Sequence, residues 1–567
     1  MTDTAGQAAR SGDAPFYSDR PNRSPWIAQF EPDGAPRPLG GDATADVVIV
    51  GAGIAGIATA FFLLRECPGR VLLVERDRVA RGASGRNAGQ LTTYFERPLT
   101  ELAERFGREL VGEAQRGFED AHELLDLMVA TSGATGRMER FSGHMGMFNR
   151  HHLEVHLSSL LIRELAGLPP QTCLVSEDAE FLPELPTRFA ELYDVVPRAR
   201  IRELLEVDDE RYAAVLSARA GCANSGLLCQ QVLRHLERGF AERFHYADCT
   251  DAERIVVGDD GVVVHARGHR IMASRAVLCT NGFVDHVVED ATGSPIRLAE
   301  EQRIVGRVGY MTAFVEETRR SPASISYIRN TVIGGETPYV YVTRRTYDLQ
   351  QDTVTLTCMG GPEYPFHDPV YERESPFPGH LLAAMDEEVR PFAQPARPPG
   401  LPYDFHWHGL MGYNDCGIRI VGAHPRHNRL LYNLGCNGVG FLPSVYGGHR
   451  VARILAGERP ARSIFDPRCR STVTGARHDY IHQQPADRHD IHDERRQGEG
   501  PRAEGEALAS TANVTAALRW QISPRWSTCQ DFVAQMNLVW SFKRCATSGL
   551  CILNAAPASA GLRSTGF

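Results

Sequence analysis

The chain is almost without lysine: Lys543 is the only one in 567 residues, so its other basic side chains are arginines. Basic and acidic groups number 61 and 70, a net charge of −9, which leaves no basic surplus to draw nucleic acid over a broad face. The thirteen cysteines are scattered, odd in number and lack any C-x-x-C pair. Neither a disulfide framework nor a metal site is therefore expected, and a reducing, cytoplasmic setting fits. The longest uncharged apolar run, Val47–Leu64, is about as long as a membrane span, but it contains Gly51, Gly53 and Gly56 and lacks the basic flank of a signal peptide. No membrane partner is expected from it.

The length allows two or three domains at roughly 100 to 200 residues each. Residues 1–44 are rich in Pro, Gly, Asp and Arg with isolated aromatics (Phe16, Tyr17, Trp26), and read as an irregular arm laid over the fold. An apolar strand at Asp46–Val50, a buried helix at Ile54–Leu64 and a second strand at Val71–Glu75 form a β-turn-α-β unit, which demands a parallel sheet. Helical spacing predicts two amphipathic helices over Leu99–Met128 and another over Gly226–Phe240. Strands are expected between Arg254 and Gly282, near Tyr310–Phe314, at Tyr339–Thr343 and at Leu430–Leu434, before a closing helix at Pro443–Leu455. Residues 466–567 read as a low-order tail. Its His478, His482, His489 and His492 are better taken as a solvated linker than as metal ligands.

The chemistry begins at G-A-G-I-A-G, Gly51–Gly56, between the first strand and its helix. Gly51 permits a tight turn, Gly53 lets backbone approach a pyrophosphate and Gly56 lets helix and strand pack, while the helix start at Ile54 and Ala55 faces the anion. Glu75 ends the next strand, where an acid accepts both ribose hydroxyls of an adenosine, with Arg76 beside it. This unit serves FAD and NAD alike. The choice rests on G-A-S-G-R-N-A-G-Q, Gly82–Gln90.

That loop resembles the flavin-contacting loop of the D-amino-acid/amine oxidase (DAO) family of FAD-dependent oxidoreductases, and the form S-G-R-N-x-G-Q is most similar to the γ-glutamylputrescine oxidoreductase branch. The resemblance implies that Ser84, Arg86, Asn87 and Gln90 contact FAD. A second anchor is A-V-L-C-T-N-G-F, Ala276–Phe283, with Gly282 beside the dinucleotide; Cys279 and Asn281 depart from the commonest small-residue form. A third is W-H-G-L-M-G-Y-N-D, Trp407–Asp415, followed by L-Y-N-L-G-C-N-G-V-G, Leu431–Gly440. In the family this last turn aims backbone N–H groups at the flavin pyrimidine edge, a role that would fall to Gly438, Val439 and Gly440.

The resemblance covers about residues 45–465 and implies an α/β fold: a Rossmann-like FAD-binding domain with an interleaved α+β substrate domain, as in glutathione-reductase-2-like flavoproteins. The FAD domain would comprise 45–95, 215–290 and 405–465, and the substrate domain 96–214 and 291–404. FAD is expected to be non-covalent, because Asn87 stands where some relatives carry a linked histidine, and Cys416 and Cys436 read as packing residues. The implied reaction is oxidation of a primary or secondary amine or amino acid to an imine by hydride transfer to flavin N5, with oxygen or an unidentified acceptor taking the electrons. Catalytic candidates are His408, Tyr413 and Arg419, with Trp407 beside them; each could equally be a satisfied core group. Arg344 and Arg345 could clamp a carboxylate or lie on the surface. The resemblance implies a fixed cation for the reaction with oxygen, which sarcosine-oxidase-type relatives supply as a lysine. Here an arginine or His408 would have to supply that charge, or another acceptor would replace oxygen. A 2-hydroxy-acid dehydrogenase of the same fold and a catalytically silent flavin-binding protein remain open, whereas a fused Rieske centre is excluded by the tail's lack of C-x-H and C-x-x-H pairs.

Overall fold

The computed structural model describes residues 22–467, apart from 23, 33, 317, 329–338, 350–351, 367–369, 379–380, 383–384 and 386–403. Of the expected tail only residues 466 and 467 are described; its histidines and Lys543 lie outside the described residues. In chain order the elements are α1 (Pro25–Ala28), β1 (Ala43–Val50), α2 (Ile54–Glu66), β2 (Val71–Val74), α3 (Leu99–Phe106), α4 (Arg108–Ser132), β3 (Glu139–Met147), α5 (Arg150–Leu165), β4 (Thr172–Ser176), β5 (Asp194–Val196) and α6 (Arg198–Leu205). There follow β6 (Ala214–Cys222), α7 (Ser225–Gly239), β7 (Phe244–Ala247), β8 (Ala252–Val257), β9 (Val262–Ala266), β10 (His269–Leu278), β11 (Val287–Asp290), β12 (Val305–Glu316), β13 (Ala323–Ile328), β14 (Tyr339–Leu349), β15 (Asp352–Pro365), β16 (Phe405–Tyr413), β17 (Ile420–Ala423), β18 (Leu430–Leu434) and α8 (Phe441–Leu455).

Two sheets organise these elements. In the first, β10, β1, β2 and β7 run parallel. The amino-terminal half of β10 pairs antiparallel with β9, while its carboxy-terminal end, Ala276–Leu278, pairs parallel with β18. The sequence explains the burial. Residues 54–64 are apolar or small all round, so α2 has no solvent face and must be covered by the sheet on one side and by α8 on the other. The two helices cross closely: a Cβ on Gly448 would lie 2.7 Å from the backbone nitrogen of Thr59. Val47–Leu64 is thus a strand, a turn and a buried helix, and among the described residues no helix is long and apolar enough to cross a membrane.

The second sheet has the order β16-β12-β15-β14-β13-β3-β6-β4-β5 and is antiparallel except at β13–β3 and β4–β5. Its membership departs from the expected partition at two points. Strands β6 and β16, which the sequence reading assigned to the dinucleotide domain, pair here instead, because their partners along the ladder are β3 and β12. The arm differs too. Trp26 is fully buried, in a one-turn helix capped by Ser24, rather than laid on a surface.

Candidate active site

The turn between β1 and α2 is built for close backbone approach. Gly51 has φ +102°, and a Cβ there would lie 2.8 Å from the Cys279 carbonyl oxygen. A Cβ on Gly56 would sit inside the van der Waals shell of the Gly51 carbonyl oxygen, so helix and turn can pack only with glycine there. Ser84 Oγ accepts the N–H of Ile54 (2.8 Å) and lies 3.0 Å from where a Gly53 Cβ would be. The next N–H groups of α2, beginning at Ala55, have no partner within the helix and carry its positive dipole end. Glu75 Oε2 accepts the Ala52 N–H (2.7 Å) and Oε1 that of Asp77 (3.0 Å), leaving each oxygen a lone pair for a ribose hydroxyl. Burial raises its pKa. Just past β10 the buried Thr280 hydroxyl has no hydrogen-bond partner among the described residues. An N–H-rich cradle, a ribose-facing carboxylate and an orphaned hydroxyl fit a dinucleotide.

The other loop residues are placed unequally. Asn87 turns inward, donating to Ala83 O, Ser84 O and Ser225 Oγ while its own oxygen accepts the Gly89 N–H. Its amide therefore holds the loop's shape. Arg86 is buried, hydrogen-bonded to the Arg81 carbonyl and 3.6 Å from Glu374. Arg76 forms a two-pronged pair with Asp285 (2.7 and 2.9 Å). Gln90 ties the loop to the second sheet through Thr343 Oγ1 (2.9 Å) and lines the cavity described below. Gly282 lets the strand end pass Met411, whose carbonyl oxygen a Cβ would meet at 2.5 Å.

Two residues that the sequence reading missed hold this loop from outside. Trp26 Nε1 donates to the Asn87 carbonyl, and Ser24 Oγ to that of Gly85. Asn22 Oδ1 accepts the His408 N–H (2.8 Å) and its amide donates to the His408 carbonyl (3.1 Å). Isolated residues in a Pro- and Arg-rich arm carry no periodic signal that could have exposed them.

The second turn follows β18. Asn437 and Gly438 have φ +45° and +84°, and Gly440 precedes the first residue of α8, so Gly438, Val439 and the helix start lie together on the parallel-sheet side. Beside them is a group of acids and phenols. Tyr413 OH donates to Glu363 Oε2 (2.6 Å), Tyr339 OH to Glu96 Oε1 (2.8 Å), and Tyr94 OH lies 3.3 Å from Tyr339 OH. A Cβ on Gly438 would lie 2.8 Å from Glu96 Oε1 and 2.9 Å from the Tyr413 hydroxyl, which fixes the distance between cluster and turn. Burial and then the Glu363 charge push Glu96 up to about 8. Burial also raises Glu363 and holds Tyr413 well above its usual range. Tyr94, Glu96 and Tyr339 line a cavity of about 190 Å³ that reaches Met145 and His156.

The remaining candidates do not line this cavity. His408 is buried: Nδ1 lies 2.6 Å from Tyr371 OH and Nε2 3.0 Å from the Ser375 carbonyl. One acceptor and one donor satisfy a neutral imidazole. Burial pushes His408 down to about 4, so it cannot supply a cation for oxygen chemistry at neutral pH. Arg419 is enclosed by Asn433, to Oδ1 (2.7 Å) and O (3.0 Å), and Asn433 binds α2 at Ala55 and Thr59. It braces the packed helices; burial lowers it to about 10, which leaves it charged. Trp407 is buried with its Nε1 unpartnered. Arg344 pairs with Glu206 (2.6 and 2.8 Å), and Arg345 lies over the Trp26 ring at 5.0 Å and donates to the Arg137 carbonyl (2.6 Å). Both are buried and engaged, neither a clamp nor a surface charge.

A pH consequence follows from His408. Its pKa is about 4 folded against about 6.5 unfolded, so between those values the unfolded chain binds more protons and stability falls as pH falls. Melting temperature should drop more steeply from pH 6.5 to 4.5 in the wild type than in His408→Gln. Parallel curves would refute the assignment.

Comparison with known proteins agrees with this geometry. The family model described as DAO, FAD dependent oxidoreductase, matches residues 46–454. Gamma-glutamylputrescine oxidoreductase of Escherichia coli (strain K12) is 36% identical over 66 residues, a match spanning 12% of this chain and 15% of that enzyme. The fold is similar to glycine oxidase from Geobacillus kaustophilus (TM-score 0.54, 16% identity, 75% of this chain and 98% of that one). It is also similar to L-proline dehydrogenase from P. horikoshii (TM-score 0.55, 14% identity, 75% and 97%).

Proposed function

Because the chain belongs to the DAO family of FAD-dependent oxidoreductases, we propose that it oxidises a primary or secondary amine or an amino acid to the imine, which water hydrolyses to a carbonyl compound and the released amine or ammonia. FAD, when bound, accepts the hydride that leaves the carbon next to nitrogen, and the nitrogen lone pair becomes the second half of the C=N bond. The chain's own part is holding and positioning. The Gly51–Gly56 turn and the start of α2 would hold the pyrophosphate, Glu75 the ribose, and Gly438, Val439 and the start of α8 the pyrimidine edge, where their N–H dipoles favour negative charge. Asn87 and Cys416 support non-covalent binding. The Asn87 amide is spent inside its loop, and burial pushes the Cys416 thiol up to about 12.

The observation that carries this reading is the approach of the Gly438 turn, through Glu96, to a partly aromatic cavity. Only an uncharged amine has the lone pair the reaction needs, so turnover should rise with pH until the substrate is deprotonated. The test is anaerobic loss of the visible flavin absorbance on mixing with amines, N-methyl amino acids, D-amino acids and γ-glutamyl polyamines. Bleaching by a 2-hydroxy acid and by none of these would reject amine oxidation, and bleaching by nothing would leave a silent flavin-binding protein.

A further inference from the structure

The cavity beside the Gly438 turn has acids at the end nearest the turn. Glu96 and Glu363 both approach that turn, Glu96 directly and Glu363 through Tyr413. Arg307 Nε lies 3.9 Å from Glu363 and its guanidinium is over the Tyr413 ring at 5.5 Å, so one carboxylate has a counter-charge. Glu96 has none. Among the described residues its one hydrogen bond is from Tyr339 to Oε1, no arginine or histidine pairs with it, and the side chain lines the cavity with Oε2 unused. With its pKa raised to about 8 by burial and by the Glu363 charge, Glu96 is largely protonated in the empty cavity, and a cation placed beside it would restore the carboxylate and pair with it.

The arginines that reach the same cavity are already engaged. Arg163 is held by Glu119 and by the Pro169 carbonyl (2.8 Å), Arg219 by Glu123 (2.6 Å), and Arg97 by Glu101 and the Asp415 carbonyl (3.1 Å). Arg344 and Arg345, the other carboxylate clamps one might consider, are spent on Glu206 and on Arg137. A substrate carboxylate would therefore enter a site with an unpaired acid, where each arginine already pairs with a carboxylate. An ammonium would meet Glu96 and the side chains of Tyr94 and Tyr339, whose hydroxyl oxygens and rings can accept a cation.

We propose that this cavity takes an amine carrying a second ammonium group, a short α,ω-diamine or its N-alkyl derivative, and that Glu96 with Tyr94 and Tyr339 binds the group that is not oxidised. The proposal rests on the amine-oxidation reading and names the substrate class of that site. Glu96 is a specificity residue on this account, selecting the far end of the substrate by charge.

The test uses the full-length holoenzyme and three four-carbon amines that differ only at the far end: 1,4-diaminobutane, butylamine and 4-aminobutanoate. The diamine should exceed butylamine at least about tenfold in kcat/KM, and 4-aminobutanoate should be the poorest. In Glu96→Gln the diamine-to-butylamine ratio should fall about tenfold, mostly through KM, with FAD content retained; Glu96→Asp should restore part of it. A wild-type ratio near one, a preference for 4-aminobutanoate, or an unchanged ratio in Glu96→Gln overturns the proposal while leaving amine oxidation standing. A separate readout removes the dependence on turnover. The bis-quaternary 1,4-bis(trimethylammonio)butane has no nitrogen lone pair and cannot be oxidised, yet its binding should perturb the absorption spectrum of the oxidised flavin in wild type and not in Glu96→Gln. If that perturbation is seen when no amine is turned over, the cation site stands and the amine-oxidation reading falls. If it is absent in wild type, the cation site falls.

Discussion

Gly56→Ala should lose FAD and destabilise the protein together, whereas Gly53→Leu should lose FAD with far less effect on stability. At Gly56 the added Cβ meets the Gly51 carbonyl oxygen, a backbone atom that cannot move without displacing β1 or α2. Overpacking of this kind costs about 1–3 kcal/mol or more. At Gly53 the nearest atom to a Cβ is the Ser84 hydroxyl, 3.0 Å away, with the Ser84 Cβ at 3.9 Å. A leucine there would push that hydroxyl off the Ile54 N–H and fill the space that the cradle leaves for a pyrophosphate. Flavin absorbance per chain and the melting curve, measured on both variants, separate the two effects. A yellow Gly56→Ala protein with wild-type stability would contradict the packing described here.

Trp26→Ala should be nearly as damaging. The indole is fully buried, donates to the Asn87 carbonyl, lies under the Arg345 guanidinium and lies 3.2 Å from where a Cβ on Gly89 would stand. Truncating a buried tryptophan costs about 3–5 kcal/mol. The loss should also loosen residues 84–90, so FAD should leave the variant on gel filtration under conditions where the wild type retains it. Trp26→Phe keeps most of the volume but not the N–H donor, and should lie between. Unchanged flavin retention in Trp26→Ala would mean that the arm stabilises the fold without shaping the cofactor loop.

What was legible in the sequence is what local rules control. The turn glycines, Glu75 and the β18-to-α8 turn are set by backbone geometry within a few residues, and they appear where spacing placed them; the strand Leu430–Leu434 matches its expected limits. The segment holding β3 to β6 was not readable as strands. In β3 only the last two residues are buried, so no two-residue alternation marks it. The Glu96–Glu363 group was not legible either, because its members lie on elements remote in sequence and meet only through the second sheet. His408 and Arg419 were chosen as chemically capable side chains flanking a motif, and Arg344 and Arg345 as arginines within strands. Their partners, Tyr371, Asn433, Glu206 and Arg137, are what the sequence could not supply, and those partners leave them engaged.

The split pairing of β10 bears on how the protein is made. Its carboxy-terminal end is flanked by β1 on one side and β18 on the other, strands from opposite ends of the folded region. During synthesis β1, β2 and β10 can assemble early, but Ala276–Leu278 presents an open apolar edge until Leu430–Leu434 has left the ribosome. The Gly438 turn, which we propose faces the pyrimidine edge, is made later still. Cofactor capture is thus a late event in biogenesis, and release of nascent chains that end before Leu430 should yield colourless, aggregation-prone polypeptide however much FAD is supplied.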